Sequence, residues 1–519
     1  MTHFLAPRSI GREASPAETR SPLSKARAPT RAGFSDLQML QAGSAIFLAP
    51  DLLFAAALKD YARAATLLGG FAALFVVLRQ PKREGSLLAA RVDLPLLALL
   101  AALSVGLMLL GGATHLFAPN ADWQIRDAVL ADVTLRGLPA LYRFGDADYF
   151  LRAPLGMYLT PAFVGRAFGL YAAHLAMFAQ NAALLSLILY FFVQLANAPK
   201  FAFVLVFAAF GWADQLIQFA CLLTDRGGWW NPFYFRYMST LTNLFWAPNH
   251  TLPGLWAAVL ALLLARREID LATAGVSLTA LLLWSPFAVI GGAPFLVFLA
   301  LREKFAALIA PRLVVGVLAS LCFLPVALYL SLDTAHVAQR GLAAASGFWG
   351  MYFAFLAVEL PRAGIFYAGW SKIDRSDRAL LLLCVVVLAC IPFYSLGPFN
   401  DFSMRVSQPA LALVAFGFAR IAATTPRDGK ALSVAVLALT SFTAIEAMFE
   451  LRFPLVTPSY PISDCGMATA IARQNRGPAS DAAAPAHYMA PVALAPAWLG
   501  TLGGEPSQDE RKQCWPKGS

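Results

Sequence analysis

Apolar runs of membrane-spanning length recur along most of this chain, and short loops between them carry the charged residues. A helix needs ~20 mostly apolar residues to cross a hydrocarbon core ~30 Å thick, and no run alternates as a membrane-barrel strand does. The composition agrees, because 59% of the residues are hydrophobic and 13% are charged, whereas a soluble domain is about a quarter charged. The sequence therefore predicts an all-α integral membrane protein, a polytopic bundle of about thirteen transmembrane helices.

Basic residues at the ends of the apolar runs predict the orientation of the chain. Residues 1–33 are rich in Arg, Pro and Ser and lack an apolar core, which is typical of a disordered cytoplasmic tail rather than a signal peptide. Clusters of Lys and Arg favour the cytoplasmic side, and the later clusters also fall at span ends that this orientation places in the cytoplasm. The N-terminus is therefore predicted to be cytoplasmic and the C-terminus periplasmic.

The same pattern divides the chain into three parts. A basic tail, residues 1–33, precedes a transmembrane domain over residues 34–449 with an extracytoplasmic loop at 117–153, and a small extracytoplasmic segment covers residues 450–519. The predicted crossings lie near residues 40–58, 62–79, 93–116, 171–196, 201–221, 251–265, 272–301 (twice), 313–331, 348–369, 379–396, 409–422 and 431–449.

Two segments do not suit ordinary spans. Residues 145–169 are interrupted by prolines and arginines, and we expect a helix that lies at or dips into the outer interface. Residues 272–301 are too short for two full spans and contain Pro and Gly, so a hairpin of short or broken helices is expected. Such backbone is tolerated at membrane depth where protein or water covers it.

Two cysteines, Cys465 and Cys514, lie in the polar C-terminal segment, and the spacing of all six cysteines lacks a CxxC zinc motif. In an oxidising compartment these two residues can form a disulfide that closes a small domain. The alternative is two free thiols in a poorly ordered extension.

The segment 117–135 places charged residues at helical spacing directly after an apolar run. Asp122 heads the apolar face of that helix, so we expect it to turn toward the protein, with Arg126 one turn away as its partner. Such a carboxylate can serve as a general base or hold a divalent metal. The alternative is that Asp122 caps the helix or complements its dipole. Asp127 and Asp132 are predicted to lie on solvated faces.

Further polar residues gather on the predicted outer side, where ionisable groups near hydrocarbon are costly and usually functional. Arg236 and Arg405 are candidates to bind a phosphate, because a guanidinium binds its oxygens bidentately; contact with lipid headgroups is the alternative. His250 is expected to contact a substrate phosphate or sugar, or to hydrogen-bond a neighbouring loop. The predicted substrate-binding residues are Arg126, Arg152, Arg236, His250, Asp401 and Arg405.

Other classes of partner are disfavoured. The net charge of +10 comes from clusters at the ends of the apolar runs, which is a topology signal and not a nucleic-acid patch. No Walker loop, nucleophile elbow or HExxH motif is present. Aromatic residues of the 225–250 loop are expected to form an interfacial belt or to line a groove for an isoprenoid chain.

Four motifs together resemble the GT-C superfamily of polytopic membrane glycosyltransferases, particularly its bacterial members. They are NADW around Asp122, RAPLGMYLTPA after it, WAPNH at His250 and NDFSMR before a later span, and the resemblance covers roughly residues 90–425. The chain lacks the Asp-Glu pair of the protein-mannosyltransferase pattern in its first outer loop.

This resemblance implies transfer of a sugar from a polyprenyl-phosphate-linked donor to a lipid or polysaccharide acceptor, at the outer face of a bacterial inner membrane. The family uses an acidic residue of the first outer loop as base or metal-linked site, which corresponds to Asp122, with Asp127 as its nearest substitute. A Mg²⁺ or Mn²⁺ ion at Asp122 is the implied cofactor.

Two alternatives from other classes remain open. A transporter or flippase for a lipid-linked sugar predicts charges strung through the membrane and an inverted repeat, whereas the charges here crowd one side. A non-catalytic scaffold with the same fold is the second alternative.

Overall fold

The structure is a computed structural model that describes residues 33–83, 85–144, 146–211, 233–303, 305–359, 361–397, 399–474, 487–500 and 514–515. It is mostly helical. Seven helices in this part of the chain are long and apolar enough to cross a membrane, and they indicate a membrane protein; they cover Asp36–Ala57, Asp60–Leu78, Leu170–Ala196, Pro248–Ala265, Pro311–Ser331, Arg375–Phe393 and Ala431–Val456.

Shorter apolar helices at Leu94–Leu110, Pro286–Ala300, Phe348–Glu359 and Gln408–Thr424 accompany these spans. The predicted total of about thirteen crossings is not confirmed and stays a prediction, as does the direction in which the chain crosses. Residues 212–221 of the predicted 201–221 span and residues 225–232 of the 225–250 aromatic loop lie outside the described residues.

The first half of the described chain contains nine helices. They are α1 (Asp36–Phe54), α2 (Asp60–Leu78), α3 (Leu94–Leu110), α4 (Asp122–Leu135), α5 (Gly156–Phe168), α6 (Leu170–Ala196), α7 (Lys200–Ala208), α8 (Thr240–Trp246) and α9 (Pro248–Ala265).

The second half continues the same pattern with shorter elements. They are α10 (Leu271–Thr279), α11 (Pro286–Ala300), α12 (Phe305–Leu308), α13 (Pro311–Leu321), α14 (Leu324–Ser331), α15 (Phe348–Glu359), α16 (Pro361–Ala368), α17 (Arg375–Cys390), α18 (Asp401–Val406), α19 (Gln408–Thr424), α20 (Ala431–Val456) and α21 (Met467–Gln474).

Short strands correct the all-α prediction. β1 (Leu141–Phe144), β2 (Ala147–Leu151) and β5 (Met489–Pro491) form one antiparallel sheet, and β3 (Gln339–Gly341) pairs with β4 (Tyr394–Leu396) in another. The prediction of a single interfacial helix over residues 145–169 is therefore partly wrong. Its first residues form β2, because they pair with β1 and with the C-terminal strand, and only Gly156–Phe168 is helical.

The predicted hairpin of short helices over 272–301 is confirmed by α10 and α11. Asp270 caps α10, where its carboxylate accepts a hydrogen bond from the N–H of Thr273 at 2.8 Å. Ser285 caps α11 in the same way through the N–H of Ala288 at 3.1 Å, and Pro286 occupies the first turn. These capping residues satisfy backbone donors that the turn would otherwise leave unpaired inside the protein.

The polar helix α4 is buried on nearly every side, because α5, α6 and α21 pack around it. Asp127 and Asp132 are only 1% and 2% exposed, so the prediction of solvated faces is wrong for both. Asp132 is buried because the C-terminal segment covers it. Its carboxylate accepts hydrogen bonds from the N–H of Met467 at 2.8 Å and from the hydroxyl of Tyr142 at 2.7 Å.

The C-terminal segment is part of the same packed body. The last long helix continues to Val456, and β5 adds a strand to β2. A disulfide joins Cys465 to Cys514, with their Cα atoms 6.2 Å apart, as one of the two sequence-based alternatives predicts. Residues 475–486, between α21 and β5, lie outside the described part.

Replacing Asp132 with alanine is expected to destabilise the protein. The hydroxyl of Tyr142 and the N–H of Met467 would stay buried without an acceptor, at about 1–3 kcal/mol each. The melting temperature of the detergent-solubilised protein should therefore fall by several degrees. Asp148→Ala is the matched control, since Asp148 pairs with Arg143 at an exposed position; an equal loss in both variants would contradict this role of Asp132.

Candidate functional site

A cavity of about 400 Å³ lies between α4, the α10–α11 hairpin, α14, α18 and the C-terminal segment. One part of its wall is charged and another is apolar. The charged and polar lining includes six of the eight residues that the sequence predicts for the site: Asp122, Arg126, Arg152, His250, Asp401 and Arg405. The remaining two, Asp127 and Arg236, do not line it.

One face of α4 forms the floor of this cavity. Asp122, Ile125, Arg126 and Val129 follow the i, i+3, i+4, i+7 spacing of a helix face. Asp122 does not cap the helix, because the helix begins at this residue and its N-cap position is Ala121; the alternative that Asp122 complements the helix dipole stays open, since it lies in the first turn. Instead Asn120 accepts the backbone N–H of Asp122 at 3.1 Å. The Asp122 carboxylate is thereby left on the cavity side, where its side chain is 41% exposed.

Arg126 pairs with Asp122 across one helical turn, with Nη2 at 3.4 Å from Oδ2. The guanidinium is 5.7 Å from the ring centre of Trp123, which is itself held by a hydrogen bond from Nε1 to the carbonyl of Phe245 at 3.1 Å. Nε and Nη1 of Arg126 are buried and have no hydrogen-bond partner among the described residues. Buried donors of this kind are normally paired with an acceptor, and an anion is the acceptor that a guanidinium binds most strongly.

A second aspartate–arginine pair comes from α18. Asn400 caps this helix by accepting the N–H of Ser403 at 3.2 Å, and Nε of Arg405 lies 3.8 Å from Oδ1 of Asp401. Burial raises the pKa of Asp401, the Arg405 charge opposes this rise, and the Asp122 charge adds to it. The carboxylates of Asp122 and Asp401 therefore influence each other electrostatically within the same cavity.

The loop before α18 approaches Asp401 closely. Gly397 lines the cavity with a φ of +79°, and a Cβ there would lie 2.6 Å from Oδ2 of Asp401. A larger residue would both strain the backbone and displace the carboxylate. Glycine is thus required at this position for the observed placement of Asp401.

Arg152 connects the cavity to the C-terminal segment. Its Nη1 donates to the carbonyl of Leu330 at 3.4 Å, and its backbone N–H donates to the carbonyl of Tyr488 at 2.8 Å. Burial lowers the pKa of Arg152, yet an arginine keeps its proton at neutral pH. Burial and the Arg152 charge also lower the pKa of His487 to about 4.

Sequence reasoning missed His487 and Tyr488, both of which line the cavity. Burial raises the pKa of the Tyr488 hydroxyl, and the charges of Asp122 and Asp401 raise it further. The two residues are adjacent polar aromatics in a tail rich in Pro and Ala. This contrast with the surrounding tail is the sequence signal that could have singled them out, but only the pairing of β5 with β2 brings them to the site.

His250 lines the cavity from the first turn of α9. Its Nδ1 is 2.8 Å from Oγ of Ser285, the residue that caps α11, and its ring centre is 5.8 Å from that of Phe287. The predicted hydrogen bond to a neighbouring loop is therefore present. Contact between His250 and a substrate stays a prediction.

Arg236 and the aromatic residues near it lie apart from the cavity. Arg236 is half-buried, and its carbonyl accepts a hydrogen bond from Ser403 at 3.5 Å. Phe233, Phe235 and Tyr237 are buried in the protein core, so they form neither an exposed belt nor the wall of this cavity. Trp229 and Trp230 lie outside the described residues.

The surroundings of Asp122 do not fit a Mg²⁺ or Mn²⁺ ion. These ions prefer several oxygen ligands, whereas each cavity aspartate is paired with an arginine. Among the described residues, Asp122 belongs to no group of three possible metal ligands. The geometry suits an anion bound by arginines better than a metal bound by Asp122.

Comparison of the chain with protein-family models, with curated proteins and with solved structures found no significant match.

His487, a half-buried histidine of the cavity, predicts an acid-dependent loss of stability. The pKa of His487 is about 4 in the folded protein and ~6.5 in an unfolded chain. Between these values the unfolded state binds more protons, so stability decreases as the pH falls. The melting temperature should fall between about pH 7 and about pH 5, and His487→Gln should reduce this fall. His336→Gln, at an exposed position, is the control; identical pH profiles for all three proteins would exclude the effect.

Proposed function

We propose that this protein is a membrane glycosyltransferase. It transfers a sugar from a polyprenyl-phosphate-linked donor to an acceptor of the cell envelope at the extracytoplasmic face, and Asp122 is its general base. The observation that carries the proposal is the cavity itself, which joins two carboxylates and three arginines to an apolar wall. A lipid-linked sugar phosphate has three complementary chemical parts: a hydroxyl-rich sugar for the carboxylates, an anion for the arginines and a hydrocarbon chain for the apolar wall.

The apolar wall supports a lipid substrate. Leu282, Phe287 and Ile290 contribute to it from the hairpin, and Ala327 and Leu330 contribute from α14, which belongs to a candidate span. Ile290 is 48% exposed, so this wall extends to the apolar outer surface of the helices. An isoprenoid chain can lie along such a wall while its phosphate reaches the arginines.

The arginines support binding of the phosphate. Arg126 and Arg405 are 6% and 9% exposed, and both present buried N–H groups that have no hydrogen-bond partner in the described part of the chain. Charge-assisted bonds from guanidinium to phosphate oxygens are short and strong, particularly away from bulk water. With Arg152 the cavity has three arginines against two aspartates, so its net charge is positive when both histidines are neutral.

The chemistry requires a base and a stabilised leaving group. The hydroxyl oxygen of the acceptor attacks the anomeric carbon, its proton passes to the Asp122 carboxylate, and the bond from that carbon to the phosphate oxygen breaks. The polyprenyl phosphate leaves with the bonding electron pair. Arg126 and Arg405 stabilise the charge that develops on its oxygen. Asp401, on the opposite element, is placed to orient sugar or acceptor hydroxyls.

Asp122→Asn is expected to lower sugar transfer by at least ~10²-fold, because an amide accepts no proton from the acceptor. The measurement is transfer of radiolabelled sugar in proteoliposomes supplied with a panel of polyprenyl-phosphate sugars and envelope lipids. Asp148→Asn is the control, since Asp148 does not line the cavity. Unchanged transfer by Asp122→Asn would remove Asp122 from the mechanism.

Arg405→Gln is expected to weaken binding of polyprenyl phosphate by about tenfold or more, because a charged hydrogen bond contributes about 1.5–3 kcal/mol. Binding of polyprenyl phosphate and of polyprenol, which lacks the phosphate, is measured in detergent. The variant should affect the first lipid and not the second. Arg340→Gln, at the exposed strand β3, should affect neither, and an equal effect on both lipids would contradict phosphate recognition.

The same proteoliposomes separate the alternatives. Movement of a fluorescent polyprenyl-phosphate sugar across the bilayer without transfer would favour a flippase. Binding of the lipid with neither movement nor transfer would favour a non-catalytic role. The loss of one sugar from envelope glycans of a deletion strain, restored by the wild-type chain and not by Asp122→Asn, would support the transferase.

A further inference from the structure

Three buried residues outside the cavity bring possible metal ligands together. His115 follows α3, Asp127 lies on α4, and His174 lies in the second turn of α6. One ligand atom from each lies within 4.8 Å of the other two. The residues are 8%, 1% and 0% exposed, respectively. Three separate elements thus meet at one polar point inside an apolar protein.

The hydrogen bond of His115 orients its ring toward Asp127. Nδ1 lies 2.9 Å from the backbone carbonyl of Tyr460, and because a carbonyl only accepts, Nδ1 carries the proton. In the neutral ring Nε2 then presents a lone pair, and it lies 3.0 Å from Oδ2 of Asp127 without hydrogen-bond geometry. Two facing acceptors at this distance repel unless a cation lies between them, which is either a metal ion or a proton on Nε2. A backbone carbonyl that fixes the second ring nitrogen is also a usual support of a metal-binding histidine.

His174 supplies an independent observation. Neither of its ring nitrogens has a hydrogen-bond partner among the described residues, although the side chain is fully buried. Nδ1 lies 4.0 Å from Oδ1 of Asp127, and the two imidazole rings are perpendicular with centres 5.7 Å apart. Both carboxylate oxygens of Asp127 also lack a hydrogen bond in the described part. Leaving so many buried polar atoms without a bond is costly.

We propose that His115, Asp127 and His174 bind a divalent transition-metal ion of the zinc class. Two imidazoles with one carboxylate are a common zinc donor set, and imidazole selects such ions over Mg²⁺ and Ca²⁺. Bonds of ~2.1 Å in a tetrahedral site place ligand atoms about 3.4 Å apart. The three ligand atoms already lie within 4.8 Å of one another, so small side-chain rotations bring them to the spacing of a tetrahedral site.

This metal site has a structural role. None of its three ligands lines the cavity, and Asp127 lies on the side of α4 opposite to the cavity face. The ion ties the segment after α3 and the helix α6 to Asp127 of α4, and the residue before Asp127, Arg126, lines the cavity. The proposal concerns the fold of α4 and does not depend on which reaction the cavity performs.

Metal content of the full-length protein tests the proposal. The chain is purified in detergent with a tag that contains no histidine, loaded with Zn²⁺, dialysed and measured by mass spectrometry for bound metal. About one tightly bound zinc per chain is expected. His174→Gln and Asp127→Asn should each weaken zinc binding by at least ~10-fold. His336→Gln and Asp132→Asn are the matched controls, an exposed histidine and a buried carboxylate of the same helix, and should retain the metal.

Two measurements on the unmodified protein keep the test independent of variant folding. Co²⁺ should give the visible absorption of a tetrahedral site, and Zn²⁺ should displace it. Chelator treatment should lower the melting temperature, and added Zn²⁺ should restore it. If the loaded wild-type protein holds no stoichiometric zinc and gives no Co²⁺ spectrum, the cluster is a protonated histidine–aspartate pair and the proposal is wrong.

Discussion

The burial of α4 is the constraint on which the rest of the structure depends. This helix has fourteen residues, of which twelve are buried, and it carries four charged side chains in a protein whose other helices are largely apolar. A buried charge is tolerated only when it is paired or hydrogen-bonded. The neighbouring elements must therefore supply a partner on every side of α4, and each side meets this requirement differently.

Toward the cavity, Asp122 and Arg126 pair with each other and keep contact with a space that a ligand can enter. On another side, Asp132 is held by Tyr142 and by the backbone of the C-terminal segment. On a third, Asp127 faces two histidines from separate elements. One helix therefore joins the cavity, the C-terminal segment and the histidine cluster, and displacement of α4 would change all three.

The sequence predicted those elements that a short stretch of residues specifies by itself. The helical character of the chain, the short helices of 272–301 and the helical phase of Asp122 follow from apolar periodicity, prolines and a charged segment. Phase also suggested solvated positions for Asp127 and Asp132, and that inference failed because it assumes one covered face. An apolar face indicates what must be buried, but it does not show that the polar faces are left in water.

The remainder depends on contacts between distant parts of the chain. Tyr142 reaches Asp132 from β1 and Met467 reaches it from the start of α21, whereas pairing of β5 with β2 brings His487 to Arg152. Strands of three to five residues give a weak sequence signal beside long apolar helices. His115 and His174 are likewise single histidines in apolar surroundings, without metal-binding spacing between them. Their association with Asp127 is set by helix packing alone.

Asp122 and Asp127 lie on opposite faces of α4, and this separation has a chemical consequence. A metal bound by Asp122 would occupy the carboxylate that accepts a proton in the proposed reaction, and it would compete with Arg126 for the carboxylate oxygens. A metal bound by Asp127 would leave Asp122 available, and in the proposed reaction the arginines are the groups that stabilise a leaving phosphate. The helix can thus hold a cation on one face for rigidity and an anion on the other for binding. A preorganised cavity needs such fixed side chains, because each arginine loses effect if it must first be ordered by the ligand.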